Sequence, residues 1–494
     1  MSGKLHIVFL TPGTGGWYCG ACMRDNALAK SLHDAGHEVA LLPMYLPLML
    51  DETVLESARE MPVFFGGINV YLHQKFALFR HTPAWFDKLL NHPRLLREAA
   101  RRSHMTSARE HGEMTLAMLR LEDSHLGKEL DQLSAWLQLN PCDILCLSTA
   151  MQAGMIRELK RRLKVKVILC FQGEDSFLDG LPEPYRDSCW RELALRVGDA
   201  DLLISPSKFY ADLMRQRLEL ADINIEVMPN GINLDGYEPL PDKPGPPVIG
   251  FLARLCRDKG LEIMVDAFIF LRKELGHPDA RLHLAGAATA TNEALIDTLQ
   301  ARLSAAGLAD QVRWQRNISR DDKAAMLRTL TLFSVPAIYP EAFGLYLLEA
   351  MASGVPVVQP AAASFPEIAG KAGVLVSMGA GDPPDAADSA GGRASRLSRP
   401  TGFQPVVSSA DRRDALSAIT GGTPVLHESL ARAWNDLLLQ PEKLREMAVR
   451  SRQVAEEFYA VEVMRDRFLE LVRKKPCAAV AACPTGALTL REGA

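Results

Sequence analysis

No run of about eighteen apolar residues occurs in the 494-residue sequence, so no segment has the length to cross a bilayer as a helix. An excess of positive charge is lacking too. The formal net charge is −4, which excludes a global basic field and leads us to expect no nucleic-acid partner. The nine cysteines have no framework spacing, and several sit in apolar runs such as Ile144–Ser148 and Val167–Cys170, where a thiol acts as a small hydrophobe. A reducing cytoplasm is therefore expected. The first apolar run, His6–Leu10, is too short for a secretory leader, so we expect a soluble protein, at most peripheral to a membrane. What is present is ordinary globular material, 48% hydrophobic and 23% charged, and the length suggests two domains of roughly 100–200 residues each.

Short apolar runs alternate with amphipathic helices in two successive series, the pattern of parallel α/β domains. His6–Leu10, Val39–Leu42, Ile144–Ser148, Val165–Phe171, Leu202–Ser205 and Ile225–Met228 read as strands of the first series. A helix is predicted from about Asn26 to Gly36. Five prolines fall within Pro239–Pro247 and mark a stiff linker. The second series runs through Val248–Leu252, Leu282–Ala285, Val312–Trp314, Leu332–Val335 and Val355–Val358. The domains are thus placed at 1–238 and 248–456, with 457–475 a helix returning to the first domain and 477–494 an unstructured tail. Residues 378–424 hold seven glycines and five prolines without helical or strand period, and read as a mobile insertion.

The chemistry concentrates at Glu341-Ala-Phe-Gly-Leu-Tyr-Leu-Leu-Glu349. A strand leads into a helix that starts near Phe343 or Gly344 and is stopped by Gly354 and Pro356. Free N–H groups in the first turn make a phosphate site, and Gly344 lets a diphosphate approach the backbone. Glu341 can reach a sugar hydroxyl, and Glu349 can accept both hydroxyls of a ribose. Two glutamates eight apart are common by chance. Their place after a strand, with glycine between them, is what raises the reading above a solvated surface helix. Arg254 and Lys259, in the loop after the first strand of the second series, can neutralise a diphosphate; alone they would be two solvated cations.

Glu341-x7-Glu349 with Ala350–Val358, preceded by Pro229-Asn-Gly-Ile232 and Arg254…Lys259-Gly260, resembles the retaining glycosyltransferases of family four. The resemblance covers 229–376 strongly and the first domain more weakly. It implies an α/β GT-B fold, two Rossmann-like domains facing a cleft, and a hexosyltransferase-type enzyme. It further implies a nucleotide-diphosphate sugar donor, no obligatory metal or cofactor, retention of anomeric configuration, and a carbohydrate or lipid-linked acceptor. Carried over, Arg254 and Lys259 would hold the diphosphate, Glu349 the ribose and Glu341 the sugar. Phe343, Gly344 and Leu345 would give backbone contacts, Asn317 would fall near the base, and Gly15-Gly16 would form the glycine loop that approaches donor and acceptor. The family often has a histidine after the fourth strand. This chain has Phe171-Gln-Gly-Glu-Asp-Ser176, so Gln172 could hydrogen-bond a sugar hydroxyl and Glu174 or Asp175 could orient or deprotonate an acceptor hydroxyl, against the plainer reading of an acidic loop cap.

Three weaker signals accompany this. Cys19-Gly-Ala-Cys22 has redox or zinc spacing without a second pair, and is read as small residues lining the glycine loop. Cys483-Pro lacks the cysteines that an iron–sulfur cluster requires. Residues 75–110 interleave eight Lys/Arg with aromatic and leucine side chains, which suits either contact with an anionic membrane or an ordinary solvated helical face. A catalytically silent sugar-nucleotide or carbohydrate binding protein on the same fold is the rival reading.

Overall fold

The structure is a computed structural model, and it describes residues 3–13, 20–48, 61–75, 108–121, 126–220, 222–240, 245–378 and 423–474, with isolated positions between them. The first half runs β1 (His6–Thr11), α1 (Gly20–Asp34), β2 (Glu38–Pro43), α2 (Gly67–Lys75), α3 (Ala108–Leu119), α4 (Gly127–Leu139), β3 (Ile144–Leu147), α5 (Ile156–Leu163) and β4 (Lys166–Cys170). It continues through α6 (Asp175–Asp179), α7 (Tyr185–Val197), β5 (Leu202–Ser205), α8 (Lys208–Arg217) and β6 (Ile225–Val227). All six strands are parallel, in the order β2-β1-β3-β4-β5-β6. Helices cover both faces, so the strands are apolar on both sides. On β1, Val8 and Leu10 enter one core while Ile7 and Phe9 enter the other.

The second half runs β7 (Val248–Leu252), α9 (Leu261–Lys273), β8 (Arg281–Gly286), α10 (Glu293–Ala305), β9 (Val312–Arg316), α11 (Arg320–Thr329) and β10 (Leu332–Phe333). Then come α12 (Leu345–Ala352), β11 (Val358–Pro360), α13 (Phe365–Ala369), β12 (Val374–Val376), α14 (Thr423–Leu438), α15 (Pro441–Tyr459) and α16 (Val461–Lys474). Strands β10-β7-β8-β9 form one parallel sheet, and a parallel bridge from Phe333 to Val357 leads toward the parallel pair β11-β12.

Each half therefore has a point where neighbouring crossovers leave in opposite directions, between β1 and β3 in the first and between β7 and β10 in the second. Ligands of open parallel sheets bind beyond the carboxyl ends of strands at such a point. Helix α16 packs on the first sheet, with Phe468 and Phe9 at a ring separation of 6.1 Å and the Lys166 ammonium donating to the Val472 carbonyl at 2.7 Å. The two chain crossings lie side by side. The Ile232 N–H donates to Tyr459 O and the Val461 N–H to Ile232 O, each at 3.0 Å. A Cβ at Gly231 would fall 2.9 Å from Ala460 O, so glycine is what permits this approach.

Several expectations shift. Helix α1 begins at Gly20 rather than near Asn26, so Cys22 is a buried residue of its first turn instead of part of a loop. Strand β11 starts at Val358, and β12 was not foreseen. Gly15, Gly16, Cys19, residues 379–422, the tail from 475 and most of 75–107 lie outside the described residues. The last two positions assigned to the insertion, Thr423 and Pro424, begin α14. Among the described residues no helix is long and apolar enough to cross a membrane.

Candidate functional site

The loops after β7 and β10 are stitched together at the second half's switch point. The Ile338 N–H donates to Asp258 O at 3.0 Å, and Gly260, at φ 76°, sits where a Cβ would lie 1.9 Å from Pro336 O. This seam carries Lys259, buried, into an ion pair with Glu341. The Tyr339 and Tyr346 hydroxyls donate to the same carboxylate at 2.8 and 2.7 Å. The Lys259 ammonium also stands 4.8 and 5.1 Å from the two ring centres. Burial by itself would push the Glu341 carboxyl up, but Lys259 and the two phenols hold it below the usual range. Burial, then the Glu341 charge, push both phenols well above theirs.

Gly344 follows at φ 92°, a conformation that other residues adopt only with strain, and it opens α12 without a side-chain cap. The Leu347 N–H turns back to Gly344 O at 3.0 Å, and the cap residue offers no side chain to the N–H groups before it, an end that suits an anion. Phe343 is buried against Tyr459, and its carbonyl accepts from Ser364 Oγ at 3.2 Å. Further along α12, Glu349 accepts from the Tyr237 hydroxyl at 3.1 Å and pairs with Lys323 of α11.

The donors fall unevenly on these carboxylates. At Glu341, Lys259, Tyr339 and Tyr346 all reach Oε2. At Glu349, Tyr237 and Lys323 both reach Oε1. Each glutamate is held by one oxygen and has the other to offer.

Glu174 is built differently. Its Oε1 accepts from Thr149 Oγ1 and the Ala150 N–H, both at 2.9 Å, and its Oε2 from the Gln172 N–H at 2.8 Å and the Tyr210 hydroxyl at 3.2 Å. Four donors fill both oxygens, so this carboxylate braces the ends of β3 and β4. Gln172 is half-buried with Asn230 Nδ2 3.5 Å from its Oε1, and the adjacent Gly173 lies close to Ala342. The loop after β4 therefore meets the Glu341 loop across the cleft.

The remaining predicted residues lie around this centre. Arg254 is exposed on the loop after β7, and its charge is felt by the Tyr339 phenol. Asn317, at φ 51°, ties β9 to β8: its N–H donates to Gly286 O at 2.9 Å and its side chain accepts from the Ala288 N–H at 3.2 Å. Leu345 lines a narrow cleft with Arg24, Glu52, Gly231, Tyr237 and Glu349.

Residues 118–235 match the family model described as "Glycosyltransferase Family 4", and residues 238–389 match "Glycosyl transferases group 1". The two matches meet at the linker and together take in more than half of the chain. The chain belongs to glycosyltransferase family 4. Among relatives of this family, a phosphatidyl-myo-inositol mannosyltransferase of Mycobacterium leprae is 31% identical over 177 residues, 34% of this chain and 45% of that protein. A mannosylfructose-phosphate synthase of Agrobacterium fabrum is 29% identical over 171 residues, 32% of this chain and 37% of that protein. The match thus spans under half the length of these relatives. A solved sucrose-phosphate synthase from Thermosynechococcus elongatus superposes with a TM-score of 0.63 at 15% identity, over 95% of this chain and 99% of that one. The Anabaena protein HepE, solved with UDP and glucose, superposes with a TM-score of 0.58 at 15% identity, over 95% of this chain and all of that one. The fold is the GT-B arrangement of two Rossmann-like domains.

The sequence pointed to the loops but not to the partners. Tyr339 and Tyr346 flank Glu341 closely enough to be read as a cluster, whereas Lys323 and Tyr237 stand 26 and 112 residues from Glu349 and carry no motif of their own. Direct ties between the halves were missed as well. Ser207 Oγ donates to Ala342 O at 2.8 Å, and the N–H groups of Lys208 and Phe209 donate to the Glu367 carboxylate at 2.8 and 2.6 Å.

Proposed function

We propose that this protein transfers a hexose from a nucleotide-diphosphate sugar to a hydroxyl acceptor, with retention of anomeric configuration and no metal requirement. The observation that carries the reading is the pair of one-sided carboxylates, Glu341 and Glu349, on either side of the uncapped N-terminus of α12. Glu349 Oε2 is suited to a ribose diol and Glu341 Oε1 to a hydroxyl of the transferred sugar. The helix N-terminus, Arg254 and Lys259 supply the charge that a diphosphate leaving group needs, which removes the requirement for a cation. Lys259 exchanges part of its contact with Glu341 for a phosphate oxygen when the donor arrives.

In the step itself the bond from the anomeric carbon to the diphosphate oxygen breaks. The acceptor oxygen bonds to the same face, and a phosphate oxygen receives the acceptor proton. Gln172 is the polar group of the first half placed to hydrogen-bond the sugar, while Glu174, fully bonded, holds that loop in place. The acceptor is carbohydrate, lipid-linked or a small polyol; the names of the relatives include phosphorylated and lipid-borne sugars and polyols. A cytoplasmic setting, where nucleotide sugars are made, agrees with the free thiols Cys142, Cys146, Cys170, Cys189 and Cys256.

A thermal-shift screen with UDP-, GDP- and ADP-sugars tests this, repeated on Glu349→Gln. We expect one donor class to raise the transition of the wild type and to lose most of that effect in the variant. If none stabilises the wild type, the reading fails. Tight donor binding without turnover on any acceptor or water would instead support the silent binding protein. Proton NMR of the product's anomeric coupling checks retention.

A further inference from the structure

Arg24, on α1, is 1% exposed, yet it lines the interdomain cleft together with Gly231, Tyr237, Leu345 and Glu349. A guanidinium carries five donors in a rigid fork, and a buried one normally has them filled. Here Nε stands 3.1 Å from Asp25 Oδ1, too poorly directed to count as a hydrogen bond, and Nη1 reaches only the Cys170 sulfur at 3.6 Å. Nη2 has no partner among the described residues. Asp25 is itself committed, because its Oδ2 accepts from Thr11 Oγ1 at 2.8 Å. The pair is locked in place with Nη2 buried and unpaired, so a ligand would reach it only as the walls of the cleft part.

Two helix N-termini converge beside it. Gly20 opens α1 and Leu345 opens α12, and a Cβ at Gly20 would lie 3.4 Å from Leu345 Cδ1. Helix N-termini that lie close together create a place that favours negative charge. Asp25 cancels the net charge of Arg24 but leaves its N–H groups to donate.

We propose that Arg24 is a further donor-binding residue, whose Nη2 edge takes a phosphate oxygen of the nucleoside diphosphate between the N-termini of α1 and α12. This rests on the reading of the cleft as the nucleotide-sugar site. It places a cation of the first half opposite Lys259 and Arg254 of the second, so the diphosphate is gripped from both domains.

The test is calorimetric titration of wild type, Arg24→Lys and Arg24→Met with UDP, GDP and ADP and with the matching nucleosides. The wild type is expected to prefer one diphosphate. Arg24→Met should weaken that diphosphate about tenfold or more, as loss of a charge-assisted hydrogen bond does, and should leave the nucleoside unchanged. Arg24→Lys, which keeps the charge without the fork, should fall between. Equal loss for nucleoside and diphosphate would mean that Arg24 only supports the fold, and unchanged diphosphate affinity would overturn the proposal outright. If no diphosphate binds the wild type, the functional reading itself has failed. Should both variants misfold, a structure of the unaltered protein with the bound diphosphate decides: a phosphate oxygen beyond hydrogen-bond distance of Arg24 refutes it.

Discussion

Glu341 and Glu174 are both buried glutamates on loops that meet across the cleft, and both bond to tyrosine hydroxyls. Glu341 has an ammonium beside it and concentrates three donors on one oxygen. Glu174 has no ion-paired cation among the described residues and spreads four donors over both. The first is a charge prepared and then half withheld from the protein; the second is used up by it. Burial and tyrosine contact therefore do not mark a working carboxylate. On the proposed reading, the distribution of donors between its oxygens does.

Glu174→Gln strikes at this contrast hardest. An amide in place of one oxygen sets its NH2 against one backbone N–H, while the hydroxyl on that side can turn to accept, and we expect a loss on the order of 2–3 kcal/mol, read by chemical denaturation. Turnover per folded molecule should fall only severalfold, through the loosened Gln172 loop; a fall of about a hundredfold or more at unchanged stability would make Glu174 a working group after all. Glu341→Gln should reverse the pattern. Removing the charge opposite Lys259 costs about 2 kcal/mol, while turnover drops about a hundredfold or more because the sugar contact and the placement of Lys259 are both lost.

The neighbouring Asp175 sharpens the comparison through pH. Burial pushes its carboxyl up to about 6, with the Tyr210 hydroxyl opposing the shift. Below the unfolded pKa of about 3.9 the acid is neutral in both states and costs nothing. Between there and about 6 the unfolded chain ionises first, so stability falls as pH rises. Asp175→Asn should therefore gain on the order of 2–3 kcal/mol over wild type at neutral pH, with the advantage vanishing near pH 4. Glu341, held below its usual range, acts in the opposite sense: its contribution is present above its unfolded pKa and is lost as pH falls through the folded one.

Smaller effects come from the surface. Glu367→Ala removes the acceptor of the Lys208 and Phe209 N–H groups, and about 1 kcal/mol is expected, as for loss of a helix cap. Scattering should show a larger radius of gyration if this tie helps keep the domains together. Arg254→Ala should move stability by no more than about 0.5 kcal/mol, because the side chain is exposed, yet weaken nucleoside diphosphate binding about tenfold.

Much of this architecture was legible because parallel strands buried on both faces announce themselves as apolar runs. All eleven expected strands exist, and the Gly344–Gly354 punctuation bounded α12 nearly to the residue. The start of α1 was misjudged because Gly20 and Cys22 read as loop residues, whereas tertiary contact with α12 and the first core favours helix there. Strand β12 is three residues long, too short to show a period. At the site, Glu341, Glu349, Lys259 and Arg254 were visible through motif spacing. Their partners were not, because Lys323 and Tyr237 lie far from Glu349 in sequence and reach it only once the second core has packed. Arg24 stands in the stretch Arg24–Leu28 that continues the glycine loop in the family resemblance, but it was given no role, because only the completed sheet shows that it is enclosed.

The paired crossing at Ile232 and Tyr459–Val461 has a mechanical consequence. Two strands of chain bonded to each other at one place act as a flexure. They bend and twist about that line more readily than they slide, and the ties from Ser207, Lys208 and Phe209 to the second half lie away from it. Displacement grows with distance from the line. Tyr237, five residues from Ile232, is near that line and packs in the second core, so its bond to Glu349 is carried with that half through small rotations.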